Sequence, residues 1–177
     1  MCIRDSVVSH LREIKDPMRT ALAVRTVPNQ SKIKVTHLGM AHDGRSAARA
    51  IREMKQNPRY VWKGEVAGWQ VRQELKRSHL MVISSRAEGG ANVISEAVVA
   101  GVPVIASKID GNVGLLGKNY RGYYPVGNTK ELRKVILKAE TNKAFIQNLA
   151  KQCNSIKFKF IAEREQESWA KLIKNIT

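Results

Sequence analysis

Met81-Val82-Ile83-Ser84-Ser85-Arg86-Ala87-Glu88-Gly89-Gly90-Ala91-Asn92-Val93-Ile94-Ser95-Glu96-Ala97 is the stretch on which the fold turns. Its opening, taken back to residue 79, is a short apolar run that gives way to serines and glycines, the pattern of a buried strand. A helix is predicted over about residues 92–100, stopped by Gly101, and Val104-Ile105-Ala106 is the next strand. Glycines at the start of a helix let backbone amides close on an anion, and the free N–H groups and helix dipole favour a phosphate there. Glu88 before the helix and Glu96 within it add carboxylates, which accept hydrogen bonds from sugar hydroxyls. On chemistry alone a plainer reading stands level with this one: Gly89-Gly90 is a turn and Glu96 a solvated helix residue. The stretch is not a Walker loop, because no Gly-Lys-Ser/Thr follows, and it is not the dinucleotide G-x-G-x-x-G pattern.

Upstream, residues 6–11 read as a strand entering a loop at 12–15. Asp16-Pro17 then starts a helix, Asp16 as its cap and Pro17 in the first helical position, ending at Val27-Pro28. Residues 32–39 alternate as a strand should, and a helix over 43–56 is stopped by Asn57-Pro58. A strand over 59–63 and a helix over 68–77 lead back to the opening run. Downstream come a loop over 110–114, a short strand over 122–126, and helices over about 128–139, 142–153 and 160–176. Strands and helices alternate throughout, so the fold class is α/β: a Rossmann-like parallel sheet with helices on both faces. Ligands of such sheets sit at the carboxyl ends of strands, which here leaves three loops with suitable chemistry: 10–15, 84–93 and 110–114.

The chain has 177 residues, enough for one domain that needs no disulfide staples. Lys and Arg number 31 against 15 Asp and Glu, a net charge of +16. That charge calls for an anionic counterpart: nucleic acid, phosphorylated small molecules or an acidic companion domain. The basic residues are scattered rather than striped, aromatics are only 6%, and no RNA-binding signature appears, so a nucleic-acid partner is not expected. No apolar run approaches the roughly 20 residues of a membrane span. The first six residues have no apolar core of a secretory signal, and Cys2 and Cys153 form no CxxC pair, which reads as two free thiols in a reducing, cytoplasmic compartment. No Cys/His cluster has metal-ligand spacing. His37, His42 and His79 lack partners at catalytic spacing and read as core or surface residues. Trp62 and Trp69 flank Gly64-Glu65-Val66 at a strand end, and core packing is at least as good a reading of them as the base stacking that the family resemblance stated below implies for this region.

Residues 85–97, continued by Ala100-Gly101-Val102-Pro103-Val104-Ile105-Ala106-Ser107, resemble the signature of the retaining GT-B glycosyltransferases (family 4-like). In those enzymes two acidic residues are separated by seven, and Glu88 and Glu96 have that separation. The resemblance implies that residues 6–140 are a C-terminal, nucleotide-sugar-binding GT-B domain followed by C-terminal helices over 141–177. It also implies that an N-terminal GT-B domain is missing and that residues 1–5 are foreign to the native chain. Within the group, Val8-Ser9-His10-Leu11-Arg12-Glu13-Ile14-Lys15-Asp16-Pro17, Ser78-His79-Leu80-Met81-Val82-Ile83-Ser84-Ser85-Arg86 and Gly111-Asn112-Val113-Gly114-Leu115-Leu116-Gly117 are most similar to the selenosugar synthases of selenoneine biosynthesis. Those enzymes join selenophosphate to the anomeric carbon of UDP-N-acetylglucosamine.

Carried over residue by residue, the resemblance implies that Glu88 meets the donor sugar hydroxyls and that Glu96 takes the ribose hydroxyls. The amides of Gly89, Gly90, Ala91, Asn92 and Val93 hold the diphosphate. Lys15 neutralises the departing diphosphate in place of magnesium, so no metal and no cofactor are implied beyond the UDP-sugar substrate. The family's arginine five positions before this lysine is replaced by His10, with Arg12 nearby as a substitute charge. Gly89-Gly90 also departs from the commoner Gly-Phe-Gly. The partners implied are a nucleotide-sugar donor, an anionic small-molecule acceptor and the missing domain. The alternatives are an ordinary GT-B enzyme with a sugar, lipid or phosphosugar acceptor and, from the charge, a basic nucleic-acid-binding domain. Trp169 and Leu172 suit an amphipathic last helix that crosses back to the missing half.

Overall fold

The computed structural model describes residues 4–160. Six strands, β1 (Arg4–Val8), β2 (Lys34–Leu38), β3 (Tyr60–Trp62), β4 (Leu80–Ile83), β5 (Val104–Ser107) and β6 (Tyr123–Tyr124), form one sheet in the order β3-β2-β1-β4-β5-β6. Every pairing is parallel. The helices are α1 (Arg19–Arg25), α2 (Gly44–Gln56), α3 (Gly68–Arg77), α4 (Asn92–Val99), α5 (Asp110–Leu116), α6 (Thr129–Thr141) and α7 (Lys143–Ile156). The chain steps one way from β1 to β2 and the other way from β4 to β5. Right-handed crossovers therefore put α1 and α4 on opposite faces. α6 packs on α1 and α7 on α4, which completes a helical layer on each side. All four residues of β4 and of β5 are buried, as their unbroken apolar runs require of strands covered on both faces.

Local chemistry sets most boundaries. Asp43, Asn128 and Asn142 each accept a hydrogen bond from the backbone N–H three residues on, at Ser46, Glu131 and Phe145, and so open α2, α6 and α7. The helix expected to start at Asp16-Pro17 begins instead at Arg19, with Met18 as its cap. Asp16 closes a preceding 3-10 turn (Glu13–Lys15), its N–H donating to Glu13 O, and takes a left-handed conformation (φ 44°). Its carboxylate accepts from Arg19 Nε at 2.7 Å and caps nothing. The loop expected over 110–114 is the start of α5. There Asn112 is fully buried and donates from Nδ2 to Ser107 O at 2.9 Å, which ties the helix to the end of β5. β1 begins at Arg4, two residues earlier than expected, and Asp5 is in register with Val35 and Leu80.

The helix expected over 160–176, with Trp169 and Leu172, lies outside the described residues, as does Cys2. Cys153 is a buried free thiol 3.4 Å from the Tyr120 hydroxyl. Among the described residues no helix is long and apolar enough to cross a membrane.

Candidate active site

The strand order reverses between β1 and β4, so the loops that leave their carboxyl ends part and open a crevice. A cavity of about 420 Å³ lies there. The loop after β1 supplies Ser9, His10 and Lys15 to its wall, and the loop after β4 supplies Glu88 and Gly90. The first turns of α4, with the residue before them, add Ala91, Asn92, Val93 and Glu96. Eight of the ten sequence-predicted site residues therefore meet on one cleft; Gly89 sits in the loop behind its lining, and Arg12 is placed elsewhere.

The two loops are stitched together. Ser84 Oγ donates to Asp16 O at 2.9 Å, and the Arg86 N–H donates to Ile14 O at 2.8 Å. Ser107 Oγ donates to Ser85 O at 2.6 Å and anchors the loop to β5. Held this way, the Lys15 ammonium donates directly to Glu88 Oε1, and Ser85 Oγ donates to the same oxygen at 2.6 Å. The Glu88 side chain keeps only 10% of its surface exposed, so the pair sits where charges are poorly screened.

Gly111 presses on the backbone of Glu88. A Cβ at Gly111 would lie 2.1 Å from Glu88 O. Gly111→Ala is expected to push Glu88 and α5 apart at a cost of about 1–3 kcal/mol, the usual range for overpacking. Thermal unfolding checks this against Gly114→Ala, where nothing lies within 4 Å and no loss is expected.

The start of α4 has no side-chain cap. The amides of Gly89, Gly90, Ala91, Asn92 and Val93 donate to no group among the described residues. Four of these residues, Gly90 to Val93, line the cleft, so free donors and a helix dipole meet it there. Glu96 is exposed on the second turn of α4 and has no hydrogen-bond or ion partner among the described residues.

His10 lines the cleft, its Nδ1 accepting from the Met40 N–H at 3.1 Å and its ring edge-on to His42 at 5.3 Å. Arg12 is a correction: the 3-10 turn sends it to a separate hollow with Glu13, Asp16 and Arg49. The cation that the sequence reading missed is Arg72 of α3, which lines the cleft with Glu65, Val66 and Val71. Gly68, Val71 and Arg72 share one face by helical spacing, but nothing in the sequence says which face of α3 turns to the ligand. Neither Trp62 nor Trp69 lines the cleft. Trp62 donates from Nε1 to Gly39 O at 2.8 Å and braces that turn, whereas Trp69 is 59% exposed. His79 accepts from the Arg4 N–H at 3.2 Å, at the opposite end of the sheet.

His37 is fully buried beside the cleft wall. Its Nε2 donates to Ser9 O at 2.9 Å, and its Nδ1 accepts from the Tyr60 hydroxyl at 2.8 Å. Burial pushes its pKa down to about 4, against the partial relief of the Ser9 bond. Below pH ~6.5 the unfolded chain takes a proton that the folded chain refuses, so stability falls as pH drops from 6.5 to 4, by up to about 3 kcal/mol. In NMR titration the His37 ring should stay neutral down to pH 5; a midpoint near 6.5 would contradict this burial.

Among the described residues no group of three or more His, Cys, Asp or Glu is placed to hold a metal ion.

Comparison with solved structures returns the same architecture. The HepE protein of Anabaena, solved in complex with UDP and glucose, superposes with a TM-score of 0.81 at 20% identity, over 95% of this chain and 47% of that one. The pneumococcal O-GlcNAc transferase GtfA, in complex with UDP and GlcNAc, gives 0.83 at 15% identity, over 98% and 36%. Sucrose-phosphate synthase from Thermosynechococcus elongatus gives 0.83 at 18% identity, over 98% and 45%. The chain thus spans about half the length, or less, of these proteins. Direct comparison with curated protein sequences finds no match. The family description "Glycosyl transferases group 1" matches residues 6–159, from the first strand to the last described turn, and over that span the chain belongs to this family.

Proposed function

We propose that this chain is the donor-binding domain of a glycosyltransferase that takes a UDP-sugar. The observation that carries the reading is the cleft itself: uncapped α4 amides between two carboxylates, with Lys15 on the facing loop. A diphosphate accepts from the amides of Gly89 to Val93 and from Lys15, Glu96 accepts from the ribose hydroxyls, and Glu88 from the sugar. The base lies toward Val66 and Val71, beside Arg72. When the anomeric C–O bond breaks, its electron pair leaves with the diphosphate. Lys15 and the helix amides stabilise that charge where it develops, and His10 lies alongside.

The finer reading rests on the resemblance of residues 8–17, 78–86 and 111–117. The sugar is N-acetylglucosamine, the acceptor is selenophosphate, and the new bond joins selenium to the anomeric carbon. The acceptor half of the cleft comes from an N-terminal domain of the same cytoplasmic enzyme, so the 177-residue chain binds donor without turning it over. Calorimetry with UDP tests the donor reading, and absence of binding refutes it. Assay of the full two-domain enzyme with selenophosphate against sugar, lipid and phosphosugar acceptors tests the acceptor. Transfer only to the latter group would replace the selenium reading with that of an ordinary GT-B enzyme.

A further inference from the structure

The segment that carries His10 and Lys15 into the donor cleft has a second side. There a hollow of about 320 Å³ is walled by Leu11, Arg12 and Glu13 of that segment, by Ser46 and Arg49 of α2, and by Arg86 of the loop after β4. Asp16 and Arg19 close it, giving four guanidinium groups against two carboxylates. The carboxylates do not balance the arginines evenly. Asp16 is held by Arg19 at 2.7 Å, with Arg86 only loosely drawn in at 3.8 Å. Arg12 and Arg49 make no ion pair within 4.0 Å among the described residues, although Arg49 interacts at longer range with Glu53, which Arg25 already holds, and Glu13 is exposed. A neighbouring hollow shares Arg12, Glu13, Ser46 and Arg49 and adds Arg45 and Asp43, which offset each other, so the arginine excess there is that of the first hollow.

We propose that this hollow is a second anion site, distinct from the diphosphate cradle, and that it takes a compact phosphoryl group. Guanidinium groups converging in a concave wall present forked donor pairs that match the oxygens of phosphate, and the concavity concentrates their field. The Ser46 hydroxyl on the same wall donates to Asp43 Oδ2 at 2.8 Å, so the arginines alone supply the free donors. Donor cleft and second site share the segment 10–16, so each stands on its own residues while one stretch of backbone links them. The site does not depend on the donor reading, because no residue of its wall lines the cleft.

The test is NMR titration of the 177-residue chain with inorganic phosphate, reading arginine Nε–Hε and backbone amide signals residue by residue, with and without saturating UDP. The expected result is saturable movement of the Arg12, Arg49 and Arg86 signals that UDP does not abolish. Arg12→Gln and Arg49→Gln should each weaken phosphate binding at least tenfold, and Arg49→Gln should change the UDP affinity less than twofold. Phosphate shifts confined to Gly89–Val93 and erased by UDP would overturn the proposal, as would unchanged phosphate affinity in both variants. Failure of UDP to bind would show only at the Gly89–Val93 signals, and so would count against the donor reading alone. Sedimentation with phosphatidylglycerol vesicles separates the sources. Pelleting that Arg49→Gln abolishes assigns the phosphoryl group to a lipid headgroup, and no pelleting beside phosphate binding assigns it to a soluble phosphate.

Discussion

Glu96→Ala is expected to weaken UDP binding by roughly 10–100-fold, the loss of a charge-assisted hydrogen bond worth about 1.5–3 kcal/mol. Glu96, like Glu65, is a cleft carboxylate with no hydrogen-bond or ion partner among the described residues, and unlike Glu65 it stands one turn inside a helix whose first amides are open. Because it is exposed, its removal should leave folding intact, so the effect is read cleanly by calorimetry at constant thermal stability. Glu96→Gln retains an acceptor but not the charge and should fall between the two. Equal UDP affinity in wild type and Glu96→Ala would reduce Glu96 to a solvated helix residue and withdraw the ribose role.

The second large effect lies at the other end of the molecule. Asp5 of β1 is 1% exposed, and neither carboxylate oxygen has a hydrogen-bond partner. Burial raises its pKa well above the ordinary value, and the Glu140 carboxylate adds to the rise. The unfolded chain releases this proton above pH ~4 whereas the folded chain keeps it, so stability from this group is lost as pH climbs. Asp5→Val is expected to raise stability at pH 7 by about 2 kcal/mol, the cost of an unmet buried polar group, or roughly 4–8 °C in melting temperature. Asp5→Ala removes the carboxyl without filling the space and should also gain. The gain should shrink towards pH 4, opposite in sign to the His37 effect, and urea unfolding of the variants across that range separates the two. A loss of stability in both variants would show that the carboxylate is compensated.

How far the sequence carried the fold depends on whether a signal is local. The helix over 68–77 was legible to the residue, and Asp43, Asn128 and Asn142 marked helix starts because a cap acts within three residues. α5 was not legible. Two glycines and an asparagine in Asp110–Leu116 argue for a loop, and the helix exists because Asn112 reaches Ser107 and Gly111 admits the Glu88 backbone, both tertiary contacts. Asp16-Pro17 looked like a helix start because that pairing usually is one; here Asp16 answers to Arg19 and to the turn before it. Glu88, Gly90 and Glu96 lie on one cleft because they are strung along one loop and helix, a proximity that their spacing in the sequence already displays. Arg12 and Arg72 were not legible, because the direction of a side chain around a 3-10 turn, or around a charged helix, is fixed by packing that a single sequence does not display.

The Lys15–Glu88 pair has one more consequence. Lys15 and Glu88, to which the proposed function gives the diphosphate and the sugar, neutralise each other in this structure. A bare phosphate can draw Lys15 away only by stranding Glu88, and a free sugar can claim Glu88 only by stranding Lys15. Leaving either charge half-buried and unpaired is costly. A molecule that carries hydroxyls and diphosphate together replaces both partners in one exchange. On the proposed donor reading, the intact nucleotide-sugar should therefore bind more tightly than UDP alone, because only the former replaces both partners of the resting pair.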